Sequence, residues 1–476
     1  MKVAAVDIGA SSGRVLLAEL RDDRIALEEL IRFPNGPIER DGRWTWDVDA
    51  LTGHVIEGLA LAAERGAQAF GIDTWACDYG VIGPDGVQIG PVYAYRDPRH
   101  AEGGRRMKER IAWHEHYAIA GIQDLTFNTV NQLITDDRLV DGVTVLQVPD
   151  LLGLRITGVA TSDVTNASTT ALVDPRTRDW SGALIAAAGI PRSVLLPLSE
   201  PGWLVGEAID PRLRGLPLIG VGTHDTASAF AGAPVVDRDA ALIVSLGTWA
   251  LIGYESTTAV PTEASLALDA THELGVDRTV RVLRNVSGMW LFEECRRAWS
   301  EEDGVAVAVP DLLDAMLAAP AFAAGFDVDA PALAAPGQSP SSIAPHLVGA
   351  WDGSRGAVVR VLLESLVARL ATRARELASL SGTPRTTLHV VGGGARISAL
   401  MQWLADATDM TVVAGPAEAT AIGNALVQWT TDGALDSLAA GRRVIGALPE
   451  VRTFVPSGDR AAWEAFTARI EEGRHG

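Results

Sequence analysis

The chain has 476 residues, 47% of them hydrophobic, and a formal net charge of −20. That length exceeds one ordinary core and predicts two domains, while the acidic balance disfavours nucleic acid and anionic membrane as partners. No run of about eighteen uncharged apolar residues occurs, so no membrane span is expected; Cys77 and Cys295 lack the spacing of a disulfide framework or a zinc site and read as reduced thiols.

A strand pattern begins at once, which leaves no room for a signal peptide and gives the expectation of a cytoplasmic protein. Val3 to Asp7 is a short apolar run closed by an acid, followed by Ile8-Gly9-Ala10-Ser11-Ser12-Gly13-Arg14 and a second apolar run, Val15 to Leu20. Strand, small-residue turn and strand make a hairpin. The turn reads either as an ordinary Gly-Ser turn or as a phosphate turn, with glycines that let an anion approach the backbone and with Asp7 beside a hydrated divalent cation. It is not a Walker loop, since no Gly-Lys-Ser/Thr follows. An acidic chain repels a nucleotide, so any phosphate site here must rely on local N–H donors and a metal ion.

Strands at Ile25 to Phe33 and Trp44 to Asp47 extend the opening into a meander, and the spacing of Leu51, Val55, Leu59 and Ala62 predicts a helix from Asp49 to about Arg65. Ala69 to Trp75 is a strand ending in polar residues, which completes a mixed α/β pattern. Tyr93 to Arg99 sets opposite charges beside aromatics, either as a solvated helix start or as the wall of a binding cleft, ahead of a basic helix predicted to reach Ala120. A polar cluster at Phe127 to Gln132, a strand at Val143 to Val148 and a polar loop at Thr165 to Thr170 follow.

Leu218 to Val221 reads as a buried strand and Thr226 onward as a helix, so Asp225 stands at a strand-to-helix junction. It either caps that helix or serves as a general base for an incoming hydroxyl, with the helix start favouring its ionised form. Asp237 to Asp239 reads as a boundary that divides the chain into 1–236 and 237–476. Beyond it, Ala240 to Ser245, Leu246-Gly247-Thr248-Trp249 and Ala250 to Tyr254 repeat the opening design, which implies duplicated halves with an anion between the two turns. A helix from Arg284 to Ser300, a surface excursion from about Ala318 to Ser342 and a core helix from about Ser354 to Leu380 are expected next. Leu388 to Val391 then runs into Gly392-Gly393-Gly394, which serves either a tight strand-helix turn or the close approach of a flat ring or phosphate.

Val6 to Arg14, Gly71 to Trp75, Tyr95 to Asp97, Phe127 to Thr129, Thr223 to Ser228, Gly247 to Trp249, Arg281 to Asn285 and Val391 to Gly394, in this order and spacing, resemble the FGGY family of carbohydrate kinases. The resemblance runs from Val3 to about Gln428 and implies a two-domain α/β fold of the actin-like ATPase (ribonuclease H-like) type, with a central interdomain cleft for ATP and sugar. It implies Asp225 as the catalytic base, with His224, Thr226, Asn285 and Ala76 against the sugar. Ala10, Ser11, Ser12, Gly13 and Arg14 correspond to the first phosphate loop and Thr248 to the second, Glu293 and Gly393 to nucleotide contacts, and Asp7 to the partner of hydrated Mg²⁺. Residues 1–236 then carry the sugar and the first phosphate loop, and 237–476 the second loop and the nucleotide. Two positions depart from the family pattern: Ala76 adds a methyl where a glycine usually touches sugar, and Glu293, where glutamine is frequent, accepts hydrogen bonds but cannot donate them. The implied activity is ATP-dependent phosphorylation of L-rhamnulose at its 1-hydroxyl. The alternatives are another ketose, such as L-fuculose or L-xylulose, and a non-catalytic ATP-dependent sensor, which has no need of the intact Asp225.

Overall fold

The apolar run at the start of the chain becomes β1 (Lys2–Ile8), which turns into β2 (Ser12–Arg21) and β3 (Arg24–Pro34) as an antiparallel meander. The computed structural model describes residues 1–333, 337–458 and 460–473. It divides into a first unit of Met1–Val236, Glu255–Val282 and Glu418–Leu448 and a second of Asp237–Tyr254, Leu283–Ala417 and Pro449–Gly476.

In the first unit, α1 (Val48–Glu64) begins where the Asp47 carboxylate accepts the Ala50 N–H at 3.0 Å, the usual way an orphaned donor of the first turn is satisfied. β4 (Phe70–Thr74) then pairs parallel to β1 with Asp73 opposite Asp7. With β5 (Trp203–Glu207) and β6 (Pro217–Gly220), the sheet order is β5-β6-β4-β1-β2-β3. β1 is apolar on both faces because both are covered. Ala4, Val6 and Ile8 pack with Leu51, Val55 and Leu59 of α1, whereas Val3 and Ala5 face Ile422, Ala425 and Ala421 of the helix Ala419–Thr431. The latter helix lies against α2 (Asp225–Ala231) at very short range. A Cβ on Gly423 would fall 1.8 Å from the Ser228 carbonyl oxygen, and one on Gly232 2.1 Å from that of Ala419.

In the second unit, β7 (Ala241–Leu246) and β8 (Trp249–Ser256) form an antiparallel hairpin, and β9 (Thr387–Val391) runs parallel to β7. A hairpin with a parallel strand beside its first member is also the arrangement of β2, β1 and β4, so the repeat legible in the sequence is a repeat of topology. β10 (Thr411–Ala414) and β11 (Arg452–Phe454) complete this part of the sheet. α3 (Trp290–Asp303) and the 27-residue α4 (Arg355–Ser381) follow the order of the chain. α4 is capped by the Ser354 hydroxyl and stopped by Gly382 at φ 68°, a left-handed turn that suits glycine.

Three expectations are corrected. The basic helix is two helices, His100–Arg110 and Trp113–Ala120, because Ile111 adopts an extended backbone and packs onto the cluster around Val130 and Leu133. Arg284 to Ser287 end the strand Val280–Ser287 rather than start a helix, since Val282, Leu283 and Val286 are buried there. The stretch from Ala318 to Ser342 is not a surface excursion, for Phe326, Val328 and Leu333 are buried within it; its residues 334–336 lie outside the described residues. Among the described residues no helix is long and apolar enough to cross a membrane.

The helix contact at Gly423 gives a direct test. Gly423→Ala should destabilise the protein by about 1–3 kcal/mol, the usual cost of overpacking, and lower activity as well, since α2 carries Asp225. A urea midpoint equal to that of the parent would show that the two helices separate without cost.

Candidate functional site

The ends of β1 and β4 collect acidic groups. One oxygen of Asp7, Oδ2, accepts from Arg14 Nε at 3.0 Å and Nη2 at 2.8 Å, and Arg14 pairs on its other side with Glu418. Burial works against the charge of Arg14, but Asp7 and Glu418 outweigh it and hold the guanidinium above its ordinary pKa. Asp73 is fully buried and accepts from Asn424 Nδ2 at 2.7 Å, while its other oxygen has no partner. Burial, and then the charge of Asp7, push its carboxyl well above the usual range.

The turn between β1 and β2 is stiffened from within. The Gly9 N–H donates to the Ser12 carbonyl at 2.9 Å, and Asn35 donates through its side chain to the Gly9 carbonyl at 2.7 Å and through its backbone to that of Ser11 at 3.1 Å. Ser11 is exposed at the tip, and Ala10, Ser12 and Arg14 are half-buried. Gly13 is required by packing, since a Cβ there would meet the Phe33 ring at 2.2 Å.

Asp225 is the first residue of α2, preceded by His224, and the Thr223 carbonyl before them accepts from the Thr74 N–H at 2.9 Å. Its Oδ1 accepts from Thr226 Oγ1 at 3.1 Å and lies 3.5 Å from His224 Nε2. The side chain retains 32% of its exposure. The sequence leads one to expect the helix start to favour the ionised form; instead the carboxyl is raised, chiefly by burial, with Asp7 adding to the rise against the opposing effects of His224 and Thr226. A seven-residue helix cannot offset that desolvation.

Beneath this loop lies a pair of buried acids. Asp163 accepts from the Thr223 backbone at 3.3 Å and hydroxyl at 2.9 Å, and Asp150 accepts from the Thr161 hydroxyl at 2.8 Å. Burial raises Asp163 to about 6, and burial together with the charge of Asp163 raises Asp150 to about 8.

Ala76 is half-buried, beside Cys77 at φ 79° and an aromatic group of Trp46, Trp75 and Tyr95. Asp78, which the sequence reasoning passed over, binds this group together. Its Oδ2 accepts from Trp46 Nε1 at 2.6 Å, Trp75 Nε1 at 2.9 Å and the Tyr95 N–H at 3.1 Å, and its Oδ1 from Gln132 at 3.1 Å. The available signal was an acid three residues after Trp75, one of the two indole donors that it engages. Asp97 is structural, accepting from the backbone of Trp44 at 3.1 Å and of Arg99 at 3.0 Å.

In the second unit the end of β7 is the meeting point. Thr248 is exposed in the β7–β8 turn, with its carbonyl accepting from the Trp290 N–H at 3.1 Å, so that α3 starts against the turn. Glu293, in the first turn of α3, pairs with Arg296 at 2.7 Å. In the glycine triplet, a Cβ on Gly392 would lie 2.8 Å from the Leu246 carbonyl and one on Gly394 2.4 Å from the Leu246 side chain, whereas Gly393 is exposed with open space around it. Packing thus accounts for two glycines and leaves Gly393 presented. Asn285 is half-buried on the strand Val280–Ser287.

The family model of the N-terminal domain of FGGY carbohydrate kinases matches residues 2–232, and that of the C-terminal domain matches residues 242–431. The chain is 37% identical to the rhamnulokinase of Bacteroides thetaiotaomicron across 97% of both proteins. It is 35% identical to that of Enterococcus faecalis, covering 93% of this chain and 91% of the other. Among solved structures, a ligand-bound xylulose kinase from Lactobacillus acidophilus superposes with a TM-score of 0.81 at 15% identity, covering 100% of this chain and 98% of that one. Plasmodium falciparum glycerol kinase with ADP gives 0.81 at 15% identity over 100% and 97%. At that identity the likeness is one of fold, the actin-like ATPase fold.

Two outcomes follow from the geometry. Gly394→Ala should lower the thermal midpoint and Gly393→Ala leave it unchanged; equal losses would mean that the middle glycine is also held by packing. Asp150 keeps its proton to about pH 8 when folded but loses it near its ordinary value of 3.8 when unfolded. The stability it contributes is therefore complete below about pH 4 and lost as pH rises towards about 8. Asp150→Asn should flatten the fall in urea midpoint across that window, and an unchanged slope would contradict the assignment.

Proposed function

Because the chain belongs to the FGGY family of carbohydrate kinases, with a sugar and ATP as substrates, we propose that it phosphorylates L-rhamnulose at the 1-hydroxyl to give L-rhamnulose 1-phosphate. The choice of sugar is supported by relatives named rhamnulokinase that match nearly the whole chain at 34–37% identity. The likeness to xylulose and glycerol kinases, at 15% identity, speaks only for the fold.

The observation that carries the reading is Asp225, a partly open carboxylate with donors on Oδ1 and a pKa raised by burial. A raised pKa makes it a better proton acceptor. In the reaction, the sugar hydroxyl is aligned with the γ-phosphoryl group, Asp225 takes the hydroxyl proton as the new O–P bond forms, and ADP leaves. His224, Thr226, Asn285 and Ala76 are proposed to contact the sugar, the last through its methyl. Ala10 to Arg14 and Thr248 would supply donors to phosphoryl oxygens, and Glu293 and Gly393 would lie against the nucleotide. On this reading residues 1–236 carry the sugar site and the first phosphate loop, and 237–476 the second loop and the nucleotide site.

Mg²⁺ fits the donors at Asp7. Arg14 occupies Oδ2, which leaves the other oxygen, a hard donor, in an acidic neighbourhood that includes Asp73 and Asp225. Among the described residues no group of three or more His, Cys, Asp or Glu forms a metal cage, and a hydrated Mg²⁺ needs only one or two carboxylates. When bound, it supplies charge neutralisation at the phosphoryl oxygens. A kinase that consumes ATP belongs with the cellular ATP pool, and we place this one in the cytoplasm.

ADP release measured with L-rhamnulose, L-fuculose and L-xylulose tests the substrate, with L-rhamnulose expected to give the highest kcat/KM. Asp225→Asn should reduce kcat by about 10²- to 10⁴-fold with little change in thermal midpoint, since no side-chain cap bond is lost. Near-normal turnover in a folded Asp225→Asn protein would remove Asp225 from the reaction.

A further inference from the structure

His224 is held at its far side by Glu273 and Arg281, to which the sequence reading gave no role although Arg281 opens the motif Arg281 to Asn285. Its Nδ1 lies 3.2 Å from Arg281 Nη2 and 3.3 Å from Glu273 Oε2, and those two are 3.0 Å from each other. Arg281 Nη2 also donates to the Leu274 carbonyl at 3.2 Å. His224, Glu273 and Arg281 are all buried, Arg281 completely.

A guanidinium has donors only. Arg281 Nη2 has two N–H groups, and its two hydrogen bonds go to the Leu274 carbonyl and to Nδ1. Glu273 Oε2 attracts the guanidinium by charge and takes no hydrogen bond from Nδ1. Nδ1 therefore carries a lone pair and the proton of the neutral ring sits on Nε2. That nitrogen faces Asp225 Oδ1 at 3.5 Å. Oδ1 also receives the Thr226 hydroxyl at 3.1 Å. Both donors therefore converge on one oxygen of Asp225 and leave Oδ2 for the substrate proton.

We propose that Arg281 and Glu273 are positioning residues that set the tautomer of His224, so that Nε2–H holds Asp225 Oδ1 and aims Oδ2 at the sugar hydroxyl. Glu273 acts by anchoring the guanidinium. Burial works against its charge, but Arg281 foremost keeps the carboxyl below its usual range. Burial also lowers the pKa of Arg281, opposed first by Glu273 and then by Glu255, Asp225 and Asp163. The arrangement differs from that of a hydrolase triad, where a carboxylate takes the Nδ1 proton; here a cation donates to Nδ1 and the opposite tautomer results.

The proposal rests on Asp225 being the base, but its first test does not. ¹⁵N-histidine NMR of the full-length protein without sugar or ATP, with the His224 signals assigned by their loss in His224→Gln, should show Nε2 protonated and Nδ1 bare. A proton on Nδ1 overturns the proposal whatever the substrate proves to be. In Glu273→Gln and Arg281→Lys the His224 signals should shift towards the mixed tautomers of a free ring. With L-rhamnulose, kcat should fall about ten- to hundredfold, the loss expected for one hydrogen bond to a charged group, while KM for ATP stays unchanged. Parental kcat in either folded variant with an altered tautomer would also overturn it. If the buried Arg281→Lys protein does not fold, Glu273→Gln and the parental spectrum still decide. Absent activity on L-rhamnulose in the parent would refute the substrate reading and leave the tautomer result standing.

Discussion

The parallel pairing of β1 with β4 sets Asp7 beside Asp73, and much of the first unit is arranged to make that crowding tolerable. Burial, and then the charge of Asp7, raise the pKa of Asp73. The structure answers with Arg14 on Asp7 and with Asn424 on Asp73. Asp225 lies within the electrostatic reach of both acids. The chain thus accepts the cost of clustered carboxylates and offsets it with a guanidinium from the turn strand and an amide from a distant helix.

What was legible in the sequence was local. The two hairpins, the Asp225 junction and the glycine triplet each declare themselves within about ten residues, because a strand, a tight turn and a helix start have short-range rules. The reading of Asp225 as a helix cap could not be dismissed from those rules alone, and the structure shows His224 at the cap position without a side-chain cap bond. The triplet similarly separated into two packing glycines and one presented glycine only when Leu246 was seen beside it.

What was not legible depends on distance along the chain. Asp78 takes two indole donors and a backbone N–H from three separate segments, and Glu273 and Arg281 reach His224 from about fifty residues downstream. Nothing in the alternation around Glu273 marks it as more than a strand residue. The break at Ile111 escaped notice for a related reason, since helical spacing continues through it and only the tertiary cluster it joins favours the extended backbone.

The return of Glu418–Leu448 to the first unit has a consequence for how the protein is made. Asn424 bonds to Asp73, 351 residues earlier, and Gln428 to the Ala4 carbonyl, 424 residues earlier. Until that late helix emerges from the ribosome, Val3 and Ala5 lack the cover of its apolar face and Asp73 lacks its donor. The N-terminal segment therefore waits for that helix with one face of its sheet unfinished. Domains ordinarily fold as they are synthesised; this one is closed by a helix whose Gln428 lies 424 residues beyond the strand it covers. A truncated product consequently carries every residue proposed for proton transfer without the helix that sets them in place.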